Sequence, residues 1–127
     1  VSEAAGLFIN EKETMLQGLL DASPFNIFFK DDKNNYIRLN NRAAFEIGGN
    51  PSDFDGKNAY DLFSFEAADG YHKSDLKILE SNKIISSNYE IIKKDSNAKI
   101  LVHITKTPII VRENKKIILG VWNKSSS

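Results

Sequence analysis

The sequence predicts one α+β domain: a five-stranded antiparallel sheet with short helices and one longer helix on one face, preceded by an amphipathic helix. Three observations carry this prediction. Apolar residues recur at helical spacing over 7–20 and again over 65–79. A strand–turn–strand pattern, NIFFKDDKNNYIRLNN, occupies 26–41 between them. From residue 87 onward the periodicity falls to two, in three runs rich in isoleucine, valine and threonine. A chain of 127 residues is long enough to bury one core, not two.

Each element follows from its residues. In the first helix Leu7, Phe8, Met15, Leu16, Leu19 and Leu20 alternate with Glu11, Lys12, Glu13 and Gln17. It ends near Asp21-Ala22-Ser23, because the residue before Pro24 avoids helical backbone. Asn26 to Lys30 reads as a buried strand and Tyr36 to Leu39 as its return. Between them, Asp31 to Asn35 supplies side chains that bond their own backbone in turns. Asn40-Asn41 offers a cap for a short helix over Arg42 to Ile47, which Gly48-Gly49 stops. Pro51 to Phe54 and Ala59 to Phe63 suit single helical turns. In the longer helix, Phe65 to Leu79, we expect Tyr71, Leu76 and Leu79 inward, with Lys73, Asp75, Lys77 and Glu80 outward.

The closing strands are Ser87 to Lys94, Lys99 to Pro108 and Lys115 to Asn123, separated by Asp95-Ser96-Asn97 and Arg112-Glu113-Asn114. If Lys94 pairs with Lys99, Glu90 lies opposite His103, Asn88 opposite Thr105 and Ile92 opposite Leu101. Tyr89, Ile91, Ile100, Val102 and Ile104 then face the core, and Glu90 with His103 forms a surface pair. A slip of one residue would reverse the faces and turn His103 inward.

Composition narrows the function. The 17 basic and 17 acidic residues cancel, so no net charge recruits nucleic acid or an anionic membrane. The absence of cysteine removes disulfides, thiolate metal sites and cysteine nucleophiles. The opening VSEAAGLFIN has no signal-peptide pattern, and no run approaches the ~20 apolar residues of a membrane span. We expect a cytoplasmic segment cut from a longer, membrane-anchored or soluble protein, organised as a helix over 1–22, a sensor unit over 23–123 and a tail over 124–127.

Three stretches together resemble a PAS domain: SPFNIFFKDDKNNYIRLNNRAAFEIGG, AYDLFSFEAADGYHKSDLKILESNK and TKTPIIVRENKKIILGV. They match that family's first hairpin with its trailing asparagine, its longer helix and its final hairpin, and the likeness runs from Leu19 to Val121. The resemblance implies a sensory module, not an enzyme, that governs an effector in the same or a partner chain, of histidine kinase or diguanylate cyclase type. It also implies a homodimer. Where the family often ends in Asp-Ile/Val-Thr, this chain has Val121-Trp122-Asn123.

By the same resemblance, the helices close a hydrophobic pocket against the sheet. Phe28, Leu39, Phe45, Phe63, Leu76 and Val102 are its expected walls. Asn58, Tyr60, Tyr71, His72 and Tyr89 complete the candidate ligand-binding residues, with Asn58, Tyr60 and Tyr71 as polar contacts. Because no lysine or arginine stands out at an inward position, a small neutral or apolar ligand is expected. The cofactor is left open. Flavin chemistry through a cysteine adduct is excluded, since the chain has no cysteine. Haem would need His72, but the family's axial histidine falls a turn earlier, near Ala68, so the simpler expectation is a partly exposed His72 beside Lys73. A ligand-free interaction module is the alternative, with dimerisation through Phe8, Met15, Leu16 and Leu19. An enzyme reading built on Asp69, His72 and Asp75 names no substrate and is the weakest.

Overall fold

The structure, a computed structural model, describes residues 2–93, 96 and 98–125, with side chains from Asn10 onward. Helix α1 (Ser2–Ala22) leads into the hairpin β1 (Asn26–Lys30) and β2 (Tyr36–Leu39). Then come α2 (Asn41–Ile47), a 3₁₀ turn (Pro51–Asp53), α3 (Ala59–Leu62) and the longer α4 (Phe65–Ser81). Strands β3 (Ile85–Ile92), β4 (Lys99–Arg112) and β5 (Lys115–Lys124) close the chain. The five strands form one antiparallel sheet in the order β2-β1-β5-β4-β3, so the first and last hairpins meet through β1 and β5. Fold class and element order are those the sequence predicts. Among the described residues, no helix is long and apolar enough to cross a membrane.

Polar side chains fix the helix ends. Asn40, fully buried, accepts from Ala43 N at 3.0 Å as the cap of α2, and from Ile27 N at 3.0 Å. It also donates to the carbonyls of Leu20 and Phe25, both at 2.9 Å, so one amide joins α1, β1 and α2. Ser64 caps α4, and Asn82, at φ 55°, ends it.

The pairing of β3 with β4 departs from expectation by two residues: Ile92 lies opposite Lys99, and Asn88, not Glu90, opposite His103. The bond from Lys93 N to Ala98 O sets the closing pair one position back on each strand from the expected Lys94 and Lys99. A slide of two keeps the side-chain parity, so Ile91, Ile100, Val102 and Ile104 are buried, Tyr89 half-buried and His103 exposed. Strand β4 also runs past Pro108 to Arg112. Beyond Lys106 it has β5 as partner but no longer β3, so a residue without an N–H is tolerated there.

The core lies between the helices and the inner sheet face, around Phe28, Tyr36, Leu39, Phe54, Val102, Ile118 and Trp122. Gly120 makes room for Phe28: a Cβ there would lie 2.2 Å from the ring.

Candidate functional site

Two strands deliver lysines to this core. On β1, Asn26, Phe28 and Lys30 share the inward face, and on β4 the buried series Ile100, Val102, Ile104 continues to Lys106. Helix α4 answers with a carboxylate: its buried positions Ala68, Tyr71, Asp75, Ile78 and Leu79 follow helical spacing, and Asp75 is fully buried. Lys106 Nζ donates to Asp75 Oδ1 at 2.6 Å, and Lys30 Nζ stands 3.1 Å from Oδ2. The second contact is ionic only, because Oδ2 receives no well-aligned hydrogen bond. Lys30 also donates to Asn34 Oδ1, and Asn34 Nδ2 donates to Ala68 O at 3.0 Å, tying the hairpin turn to α4.

This ion cluster borders a cavity of about 30 Å³ lined by Phe28, Lys30, Tyr36, Ile47, Tyr71, Tyr89, Ile91, Ile104, Lys106 and Trp122. Aromatic rings cage it. Tyr36 meets Phe28 and Phe63 edge-on, Phe63 meets Tyr71 at 5.8 Å, and Tyr71 meets Tyr89 at 5.8 Å. Lys30 Nζ lies 5.0 Å from the Tyr36 centroid and Lys106 Nζ 5.1 Å from that of Tyr89. Burial lowers the Lys30 pKa, with the charge of Asp75 opposing the shift. Burial raises the hydroxyls of Tyr36, Tyr71 and Tyr89.

Of the residues the sequence nominates, Phe28, Tyr71 and Tyr89 line the cavity, and Leu39, Phe63 and Val102 pack in the core around it. Tyr71 does not offer its hydroxyl freely, since the oxygen accepts from Ile92 N at 3.0 Å. The remaining nominees lie elsewhere. Phe45 is 80% exposed, because α2 buries the opposite face through Ala43, Ala44 and Ile47. Asn58 caps α3 and donates to Lys33 O and Asn35 Oδ1. Tyr60 bonds Asp69 at 2.8 Å on the surface. His72 packs on the outer side of α4 with its ring against Tyr60, and its Nδ1 is buried without a partner. Leu76 is exposed and Asp75 buried, the reverse of expectation: seven residues separate Ala68 from Asp75, two helical turns, whereas Leu76 stands about 100° further round.

Asp69, His72 and Asp75 do not assemble, because Asp69 pairs with Lys73 at 2.9 Å while Asp75 points to the core. A haem does not fit: the cavity lining carries no histidine and its volume is far too small. Among the described residues, no group of three histidine or acidic side chains could hold a metal ion.

Lys30 and Lys106 escape the sequence reading, which sets Asp75 outward, so the consequence that the pocket is charged escapes it too. The signal was present for both lysines: the alternation that sends Phe28 and Ile104 inward sends Lys30 and Lys106 inward two residues later.

On α1, Met15, Leu16 and Leu19 are 66%, 42% and 71% exposed, and the side chain of Phe8 lies outside the described residues. The helix docks by other groups. Leu20 is buried, Gln17 bonds Leu39 O and receives Arg38 Nη1, and Asp21 Oδ1 receives Asn41 N at 2.7 Å.

Comparison with known proteins agrees with this architecture. The PAS domain of an HTR-like protein from Haloarcula marismortui superposes with a TM-score of 0.71 at 15% identity, over 97% of this chain and 99% of that one. A PAS domain from a two-component sensor histidine kinase superposes at 0.70 and 9% identity, over 91% and 98%. VqmA of Vibrio cholerae, a LuxR-type receptor dimer with a DNA target, gives 0.73 at 14% identity over 87% of this chain and 51% of that one, and VqmA is also known bound to DPO. No characterised protein matches by sequence alone. The family model for the PAS fold matches residues 20–117, from the end of α1 into β5, and the chain belongs to the PAS family.

Proposed function

We propose that this chain is a ligand-responsive sensory domain that regulates a signalling effector of histidine kinase type, with residues 23–123 as the sensing unit and the α1 segment as a dimerisation element. The observation that carries this reading is the aromatic-caged cavity with two buried lysines at its wall, both paired to the buried Asp75, polar investment that a merely structural core does not need. The solved likeness to a sensor histidine kinase domain supports the effector class, and the DPO complex of VqmA supports a small-molecule role for such a cavity. PAS domains are generally sensory modules, which fits the separation of Asp69, His72 and Asp75. Native mass spectrometry of the freshly purified chain, with absorbance from 300 to 600 nm, tests the reading. A retained mass or a chromophore band supports it, and displacement of that mass by substitution at Tyr71 or Tyr89 would locate it.

A second reading, a ligand-free dimerisation module, is favoured by the exposed Met15, Leu16 and Leu19 stripe and by the small cavity volume. It predicts a bare, colourless homodimer. A monomer by light scattering at high concentration would sink it.

A further inference from the structure

Positive charge and N–H donors gather at the cavity, beside the phenol oxygens of Tyr36, Tyr71 and Tyr89 and the carboxylate of Asp75. Two lysines, 2% and 6% exposed at the side chain, share a single carboxylate, Asp75. Lys106 Nζ uses one of its N–H groups, on Asp75 Oδ1, and has no second acceptor among the described residues. Trp122, 1% exposed, also lines the cavity, and its indole N–H is buried with no acceptor there. Of the unpartnered buried oxygens, Asp75 Oδ2 is held by the charge of Lys30 at 3.1 Å, and Asn26 Oδ1 lies outside the lining. An N–H left unbonded in a core costs ~1–3 kcal/mol and an uncompensated charge more, so these groups fit an occupant that brings acceptors and negative charge.

Resting on the sensory reading above, we propose that the cavity binds the carboxylate of a small organic acid between Lys30 and Lys106, with the Trp122 indole N–H as a further donor. The internal volume of about 30 Å³ takes the carboxylate head alone. The remainder of the acid has a way out. Tyr71 and Tyr89 line the cavity and also an outer depression of about 300 Å³ bordered by Ala67 and Gly70 on α4 and by Glu90 and Ile92 on β3. Tyr89 sits half-buried on an edge strand, so its rotation would join the two spaces while Tyr71 stays bonded to Ile92 N. Because Lys106 lies over the Tyr89 ring, charge capture and movement of that ring are coupled.

The test uses sodium formate, acetate and propionate against formamide, acetamide and propionamide, at constant ionic strength set by sodium chloride. Trp122 is the only tryptophan, so its indole resonance in a ¹H–¹⁵N spectrum reports the site in the unmodified chain. Carboxylates are expected to shift it saturably and to raise the melting temperature by several degrees at saturation. The amides should bind at least tenfold more weakly. Lys106→Met, which keeps the Lys30–Asp75 pair, should weaken acetate at least tenfold. Asp75→Asn, which removes the internal competitor, should tighten it, and this opposite sign separates anion capture from loss of folding. Amides binding as well as carboxylates would overturn the charge assignment and leave the sensory reading standing. No shift with either set, together with no retained mass after purification, would overturn both.

Discussion

Gly120→Ala isolates one steric fact on which the cavity depends. Gly120 on β5 is paired with Phe28 on one side and Lys106 on the other, so its Cα cannot retreat without disturbing two ladders. A methyl group there would sit 2.2 Å from Phe28 Cε2 and Cζ and 2.8 Å from Cε1. Carbon atoms in contact prefer ~3.5–4.0 Å, so the ring must withdraw by more than ~1 Å. The ring is 7% exposed and edge-packed on Tyr36 at 6.1 Å, and only the small cavity can absorb the movement. Gly120 is not at positive φ, so alanine meets no backbone penalty and the effect is one of overpacking. Such changes cost ~1–3 kcal/mol, and the doubly paired backbone puts this one in the upper half. For a domain of this size that is a fall in melting temperature of ~6–12 °C. Thermal and urea melts of Gly120→Ala, Phe28→Leu and the double variant would measure it. The double variant should recover more than ~1 kcal/mol relative to additivity, since the smaller side chain leaves space for the methyl group. A single variant that melts with the parent, or a strictly additive pair, refutes the placement of Phe28 over Gly120.

Other expectations follow from the same geometry. Asp75→Leu leaves two lysines in one apolar site and should cost ~3–5 kcal/mol in urea unfolding, most of it restored when Lys30 and Lys106 are also changed to methionine. Because burial holds the Lys30 pKa below its ordinary 10.5, the unfolded chain binds more protons than the folded one between the lowered value and 10.5. Stability from this group therefore rises with pH through that window, and urea midpoints of Lys30→Met should lack that rise. Above pH ~10 the sign reverses, since Tyr36 has a raised folded pKa and its unfolded phenol ionises first. Asn40→Ala removes four hydrogen bonds at once, the cap bond among them, and should cost ~2–4 kcal/mol, with Asn40→Asp keeping the cap but losing the donors to Leu20 and Phe25. Met15→Lys with Leu19→Lys should change the melting temperature little, because both side chains are exposed, yet lower any dimer fraction seen by light scattering.

Local chemistry was readable without coordinates. Asn40 capping α2 and Gly48 ending it in left-handed backbone depend on neighbours within a few residues and lie where the sequence puts them, and the period-two strands follow in the predicted order with ends moved by a few residues. The sequence also carried the inward alternation of β1 and β4, although reading lysine as a surface residue hid its extension to Lys30 and Lys106. What the chain could not settle alone was which groups meet. Asp75 is an unremarkable acidic residue on an amphipathic helix until β1 and β4 bring two lysines to it, across 45 and 31 positions of sequence. Likewise Lys93 N bonds Ala98 O, one position back on each strand from the expected closing pair, and local turn signals do not choose between registers of the same parity. Periodicity says which side of an element faces the core. Only the packing of several elements decides what that side touches, and with it the charge of the site.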